Sequence, residues 1–204
     1  IDARVGHEVV EVDLDARRVR VRDVNSGATS DEGFDQLVIA TGATPVRPPI
    51  PGIDGPGVFG VQTLDHGLAV IDHLADQAPR TAVVLGAGYI GLEMAEALIT
   101  RGLTVHLVER TDRPMSTVDA DMGQRIAEAM AGMGITLHLD TEVEAIEHRD
   151  GLPAAVVTGD GDLPADLIVL GTGAQPDTGL ARAAGVPVGE TGGIEVDLRQ
   201  RTRV

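Results

Sequence analysis

The chain has 204 residues, 43% of them apolar and only 1% aromatic, so its core must be built from Val, Ile, Leu, Ala and Met, which suits an α/β fold better than an aromatic-rich β-sandwich. Its 16 basic residues are all arginine and lie scattered among 32 acids, for a formal net charge of −16, which argues against nucleic acid as a partner; the lack of lysine removes a P-loop ammonium and Schiff-base chemistry. There is no cysteine for disulfides, thiolate catalysis or metal, and no apolar run approaches the roughly 20 residues of a membrane span, so the expectation is a cytoplasmic protein with no membrane partner.

In chain order, residues 6–22 alternate apolar and polar positions around Asp15-Ala16-Arg17, the pattern of an antiparallel hairpin, and Asn25-Ser26-Gly27 signals a further turn. Residues 36–40 form a short continuous apolar run, predicted as a buried strand, that stops at Thr41-Gly42. The Pro/Gly-rich stretch 45–60 reads as too broken for regular structure. Helical spacing follows over 65–78, then a strand at 81–85, a helix over 89–101 closed by Gly102, a strand at 104–109 and a helix over 119–132. Strands are predicted at 135–139, 143–147 and 154–158, so the centre of the chain alternates β and α with short links, as a doubly wound domain does. The six histidines show no HxH or HxxxH spacing, and no metal site is expected.

Two stretches echo one another. Asp35 and Gly42, in an apolar run ending Thr-Gly-Ala, correspond to Asp166 and Gly173, an offset of 131 residues at both positions; Glu8-Val9 similarly corresponds to Glu142-Val143. One architecture therefore occurs twice, and the first copy lacks a counterpart to the glycine loop that precedes the second. The expected organisation is an incomplete chain: residues 1–42 and 173–204 as parts of one dinucleotide-binding domain, and 43–172 as a second, nearly whole.

The central motif is Gly86-Ala87-Gly88-Tyr89-Ile90-Gly91, which follows an apolar strand, opens a helix, and is followed 23 positions after Gly86 by Glu109 at the end of the next strand. Gly86 permits the tight turn, Gly88 lets a pyrophosphate approach the backbone, and Gly91 lets helix and strand pack closely. The helix start offers free N–H groups and a positive dipole end to phosphate. Glu109 would accept the adenosine ribose hydroxyls and repel a 2′-phosphate, favouring NAD(H) over NADP, a preference that the neighbouring Arg110 could soften.

Residues 83–98, together with 37–45, 165–186 and 192–202, resemble the pyridine nucleotide-disulfide oxidoreductases, most closely the coenzyme A-disulfide reductase and NADH oxidase branch. The resemblance implies a Rossmann-like domain with a parallel central sheet and a β-meander, plus part of a second domain of the same type. It implies an NAD(H)-binding portion of an FAD-dependent oxidoreductase that passes hydride from NADH to flavin and on to a disulfide or oxygen. By position, Tyr89 matches the tyrosine that covers the flavin until the nicotinamide displaces it, Glu93 the helix glutamate beside the nicotinamide, and Gly173 a glycine at the nicotinamide end of NAD. Val9 and Thr41-Gly42 match contacts to the adenylate side of FAD.

The family's first glycine loop, redox cysteine, late flavin-holding Gly-Asp and dimerisation domain have no counterpart in these residues. The expectation is that the chain alone neither turns over nor retains FAD, while the whole enzyme is a homodimer. Two alternatives stand beside this reading: a ferredoxin or rubredoxin reductase without redox cysteine, and a non-catalytic module sensing the NADH/NAD ratio.

Overall fold

The computed structural model describes residues 2–204. It divides into two compact units, one made of residues 45–174 and the other of residues 2–44 with 175–204.

In the 45–174 unit, five short strands form a parallel sheet. In chain order they are β5 (Val58–Gly60), β6 (Thr81–Leu85), β7 (Thr104–Val108), β8 (Thr136–His138) and β12 (Leu167–Leu170), and across the sheet they run β5-β12-β6-β7-β8. Helix α2 (Tyr89–Thr100) links β6 to β7, and α3 (Ala120–Gly132) links β7 to β8. The chain moves outward from β6 to β8, then returns to place β12 on the other side of β6. Its direction therefore reverses between β6 and β12, and a crevice opens at their carboxyl ends.

Both faces of this sheet are covered, which is why β6 and β12 read as unbroken apolar runs rather than as alternating ones. Ala82, Val84, Val105, Leu107, Leu167 and Val169 pack against Ala95 and Leu98 of α2 and Met130 of α3. Val83, Leu85, Val108, Ile168 and Leu170 face the other way, onto Ile146 and Val156. Those two residues belong to an antiparallel meander of β9 (Val143–Arg149), β10 (Leu152–Thr158) and β11 (Gly161–Pro164). Helix α1 (Leu64–Gln77) precedes β6; Thr63 caps it by accepting the amide of His66.

The unit of residues 2–44 and 175–204 is built on a second meander, β1 (His7–Asp13), β2 (Arg18–Asp23) and β3 (Thr29–Gly33). Val12, Val19 and Val21 form its small core with Phe34, Leu37 and Leu180, the last from the short helix α4 (Gly179–Ala183). Ala43–Pro45 (β4) pairs with Ala174–Pro176 (β13). The sequence echo is thus structural as well: β1 to β3 and β9 to β11 are the same three-stranded device.

Two expectations are corrected. Residues 36–40 form no strand, and Val38 is 85% exposed. A strand buried on both faces exists only between neighbours, and no strand among the described residues lies beside this one. The stretch 45–60 is not wholly irregular, because Val58–Gly60 docks on β12 as the edge strand of the parallel sheet. A strand of three residues is too short to show a period. Strands β3 and β11 gave no signal for a different reason: they are polar edge strands whose place is set by their partners.

Candidate dinucleotide site

Apolar β6 ends at Leu85, and the chain turns at Gly86 with φ +97°, its amide donating to the carbonyl of Val108 at 2.7 Å. A Cβ on Gly86 would stand 2.6 Å from the Gly171 carbonyl oxygen, and one on Gly91 would stand 1.8 Å from that of Gly86. Gly171, which follows β12, is held as closely, since a Cβ there would lie 2.7 Å from both the Gly86 oxygen and the Gly91 Cα. These glycines let the two strand ends and α2 meet backbone to backbone.

Gly88 differs. Its φ of −82° suits any residue, and the nearest atom to a Cβ there is 3.9 Å away. Nothing within the chain requires glycine at this position, whereas a diphosphate lying against the loop would. That spare volume fits the residues to a dinucleotide.

The loop is held rigidly at Ala87. The buried Ala87 donates its amide to Glu109 Oε2 at 2.7 Å and accepts the amide of Met115 at 2.9 Å. Beyond it, the amides of Gly88, Tyr89, Ile90 and Gly91 have no acceptor among the described residues; the first bond of α2 is Leu92 N to Gly88 O, and Gly88 caps the helix without a side chain. Four unpaired donors at the positive end of a helix dipole make an anion cradle.

Beside it lies a cavity of about 680 Å³ lined by Gly86, Glu109, Arg110, Gly171, Thr172 and Ile50, among others. Glu109 is half-buried and Arg110 exposed. Glu109 Oε1 accepts both the amide and the hydroxyl of Thr111, each at 3.0 Å. Thr172 donates to Val46 O at 2.6 Å, and Gly173 (φ +94°) accepts Val46 N at 2.9 Å, which sets the opposite rim.

The structure thus brings Gly86, Glu109 and Arg110 to one trough at the point where strand order reverses, with Gly88, Ile90 and Gly91 at its helix end and Gly173 just past Thr172. Tyr89 is 72% exposed, and Glu93, one turn further along α2, shares its solvent-facing side. In the other unit, Val9 and Thr41 line a separate cavity of about 710 Å³ with Leu37, Ile39 and Leu180. Gly42 follows Thr41, and its carbonyl accepts Asp177 N at 2.9 Å. Gly171 and Thr111 went unnoticed in the sequence. Gly171 corresponds to Ala40 in the first copy, so the repeat gave no hint of it.

Among the described residues no group of three or more His, Asp or Glu side chains is placed to hold a metal ion. No helix there is long and apolar enough to cross a membrane. The nearest thing to a titratable cluster is His106 and His138 on adjacent strands β7 and β8, Nδ1 to Nε2 3.0 Å apart. Burial lowers both below the ordinary histidine range, His138 adds to this at His106, and Asp160 opposes it at His138.

The sequence profile of the pyridine nucleotide-disulphide oxidoreductases matches residues 1–204. The chain belongs to that family. Among curated members it is 35% identical over 205 residues to the CoA-dependent NAD(P)H sulfur oxidoreductase of Pyrococcus furiosus, covering 100% of this chain and 45% of that one. It is 39% identical over 199 residues to rhodocoxin reductase of Rhodococcus erythropolis, covering 97% and 44%. Among solved structures of the family, the water-forming NADH oxidase of Lactobacillus brevis bound to NADH superposes with a TM-score of 0.88 at 32% identity, covering 96% of this chain and 43% of that one. The chain spans less than half the length of these relatives.

Proposed function

We propose that residues 45–174 bind NAD(H), and that in the whole protein this unit presents NADH to FAD, whose electrons pass on to a disulfide or to oxygen. The observation that carries the reading is the trough at the carboxyl ends of β6 and β12, where unpaired amides at the start of α2 and the Glu109 carboxylate adjoin one cavity. The amides of 88–91 would take the diphosphate, Glu109 the adenosine ribose, and Gly173 the nicotinamide end. NADH supplies a hydride when bound. What the chain contributes is placement, with Tyr89 and Glu93 on the exposed side of α2 as the nicotinamide-facing pair. The other unit, with Val9, Thr41 and Gly42, is the partial FAD site, too incomplete to retain flavin by itself. The protein is cytoplasmic, and the complete enzyme a homodimer whose partners are small dinucleotides.

The test is calorimetric titration of the 204-residue chain with NADH and with NADPH. NADH should bind with the lower Kd. Equal affinities would overturn the cofactor preference, and no binding of either would overturn the site.

The 39% identity to rhodocoxin reductase favours one second reading, in which flavin electrons leave to a small iron–sulfur or iron protein. Stoppage of electron transfer by thiol alkylation of the whole protein would support the disulfide reading, and insensitivity the second.

A further inference from the structure

We propose that His106 and His138 form a two-imidazole site for a late first-row divalent metal ion, with copper(II) and nickel(II) fitting its bite best. The inference stands apart from the dinucleotide reading, since neither histidine lines the trough. Spacing along the chain argued against a metal, because the two residues are 32 positions apart and meet only where β7 and β8 are neighbours. His106 stands opposite Val83 and His138 opposite Val108, both in the layer that faces the meander, so the two rings share that face of the sheet.

Nδ1 of His106 and Nε2 of His138 are 3.0 Å apart. Two imidazole nitrogens at about 2.0–2.1 Å from one metal stand about 3.0 Å apart when they subtend roughly 94° there, and about 3.4 Å apart at a tetrahedral centre. The first is the cis angle of square-planar and octahedral ions, so the pair suits copper(II) and nickel(II) better than zinc(II), while magnesium and calcium require oxygen donors. Burial favours the neutral form of both rings. A metal therefore displaces no proton to solvent: the hydrogen shared between the rings passes to the outer nitrogen of the ring that carried it, and both inner lone pairs are free to bind. Asp160, in the β10–β11 turn, acts on His138 as a negative charge and favours a cation at the same place. The rings are only half-buried, which leaves the other coordination positions to water. The carbonyl of His138 also accepts the amide of Glu109 at 2.8 Å, so a metal joining the rings fastens the end of edge strand β8 to β7.

The experiment titrates the 204-residue chain, free of any affinity tag, with nickel chloride at neutral pH, and with magnesium chloride as the control. Calorimetry should show one nickel bound per chain, no magnesium bound, and a nickel Kd raised about tenfold or more in His106→Gln and in His138→Gln. Nickel should raise Tm in the parent and not in either variant. In proton–nitrogen correlation spectra of the parent, substoichiometric nickel is paramagnetic and should broaden the amides of residues 106 and 138 first. That measurement needs no variant, so it decides the matter even if a substitution prevents folding. Absence of nickel binding, an equal Kd in the parent and both variants, or broadening centred on His7, His66, His73 or His148 overturns the proposal.

Discussion

Glu109 Oε2 accepts the backbone amide of Ala87 at 2.7 Å, so the acid at the end of β7 and the loop that follows β6 are a single mechanical unit. A residue read from the sequence as a ribose acceptor also anchors the glycine loop between β6 and α2. Glu109→Ala should therefore do two things at once. It should narrow the gap between NADH and NADPH, because the repelling charge is gone, and it should weaken both, because the loop loses its tether. A charge-assisted bond of about 1.5–3 kcal/mol corresponds to roughly a 10- to 100-fold rise in the NADH Kd. Titration of both coenzymes checks this; a variant in which NADPH binding improves without limit and the loop stays ordered would separate the two roles.

The glycines of the loop should part company on substitution. Gly91→Ala drives a methyl to 1.8 Å from the Gly86 carbonyl oxygen and should cost about 3 kcal/mol of stability. Gly88→Ala meets nothing closer than 3.9 Å at an ordinary φ and should leave stability unchanged within about 0.5 kcal/mol, yet reduce NADH binding at least tenfold. Urea unfolding with calorimetry reads both. If Gly88→Ala binds NADH like the parent, the diphosphate lies elsewhere.

The His106 and His138 pair makes stability depend on pH in a set direction. Both are held below the ordinary value of 6.5, first by burial, so the folded state favours the neutral rings while the unfolded chain takes up protons near pH 6.5. The unfolded state then binds more protons. Stability is complete above that pH and is lost as pH falls from 6.5 through the lowered folded values. Urea midpoints between pH 7.5 and 5.5 should decline in the parent and decline less in a His106→Gln, His138→Gln double variant. An equal decline in both would dismiss the pair as the cause.

The repeated apolar run offers a matched comparison. Val38 and Val169 are counterparts at the 131-residue offset, but the first is 85% exposed and the second fully buried. Val169→Ala should cost roughly 2–4 kcal/mol and Val38→Ala less than about 0.5 kcal/mol. Chemical denaturation of the two variants measures the difference, and similar losses would mean that residues 36–40 are packed after all.

Much of the site was legible because its signals are local. The turn at Gly86, the start of α2 at Tyr89 and the reach from β7 to the loop depend on residues within about one β-α-β unit, so glycine spacing and the position of Glu109 suffice to reveal them. Thr111 was invisible for the opposite reason, because a threonine two residues past a strand has many ordinary roles until the carboxylate it faces is located. Gly171 likewise gained meaning only when β12 was placed beside β6.

By itself the sequence determined the alternation of β and α elements, the recurrence of one architecture at a near-constant offset, and the glycine turn with Glu109 at the end of the next strand, since periodicity and backbone permissiveness are properties of a segment and its near neighbours. Only the tertiary structure showed which copy of the shared apolar run has strand neighbours among the described residues. Residues 167–170 pair with β5 and β6 and are buried, whereas 36–40 have no strand partner among the described residues and are exposed or half-buried. The physical reason is that a parallel strand has no hydrogen-bonding partners of its own: its backbone is satisfied only by neighbours from distant parts of the chain.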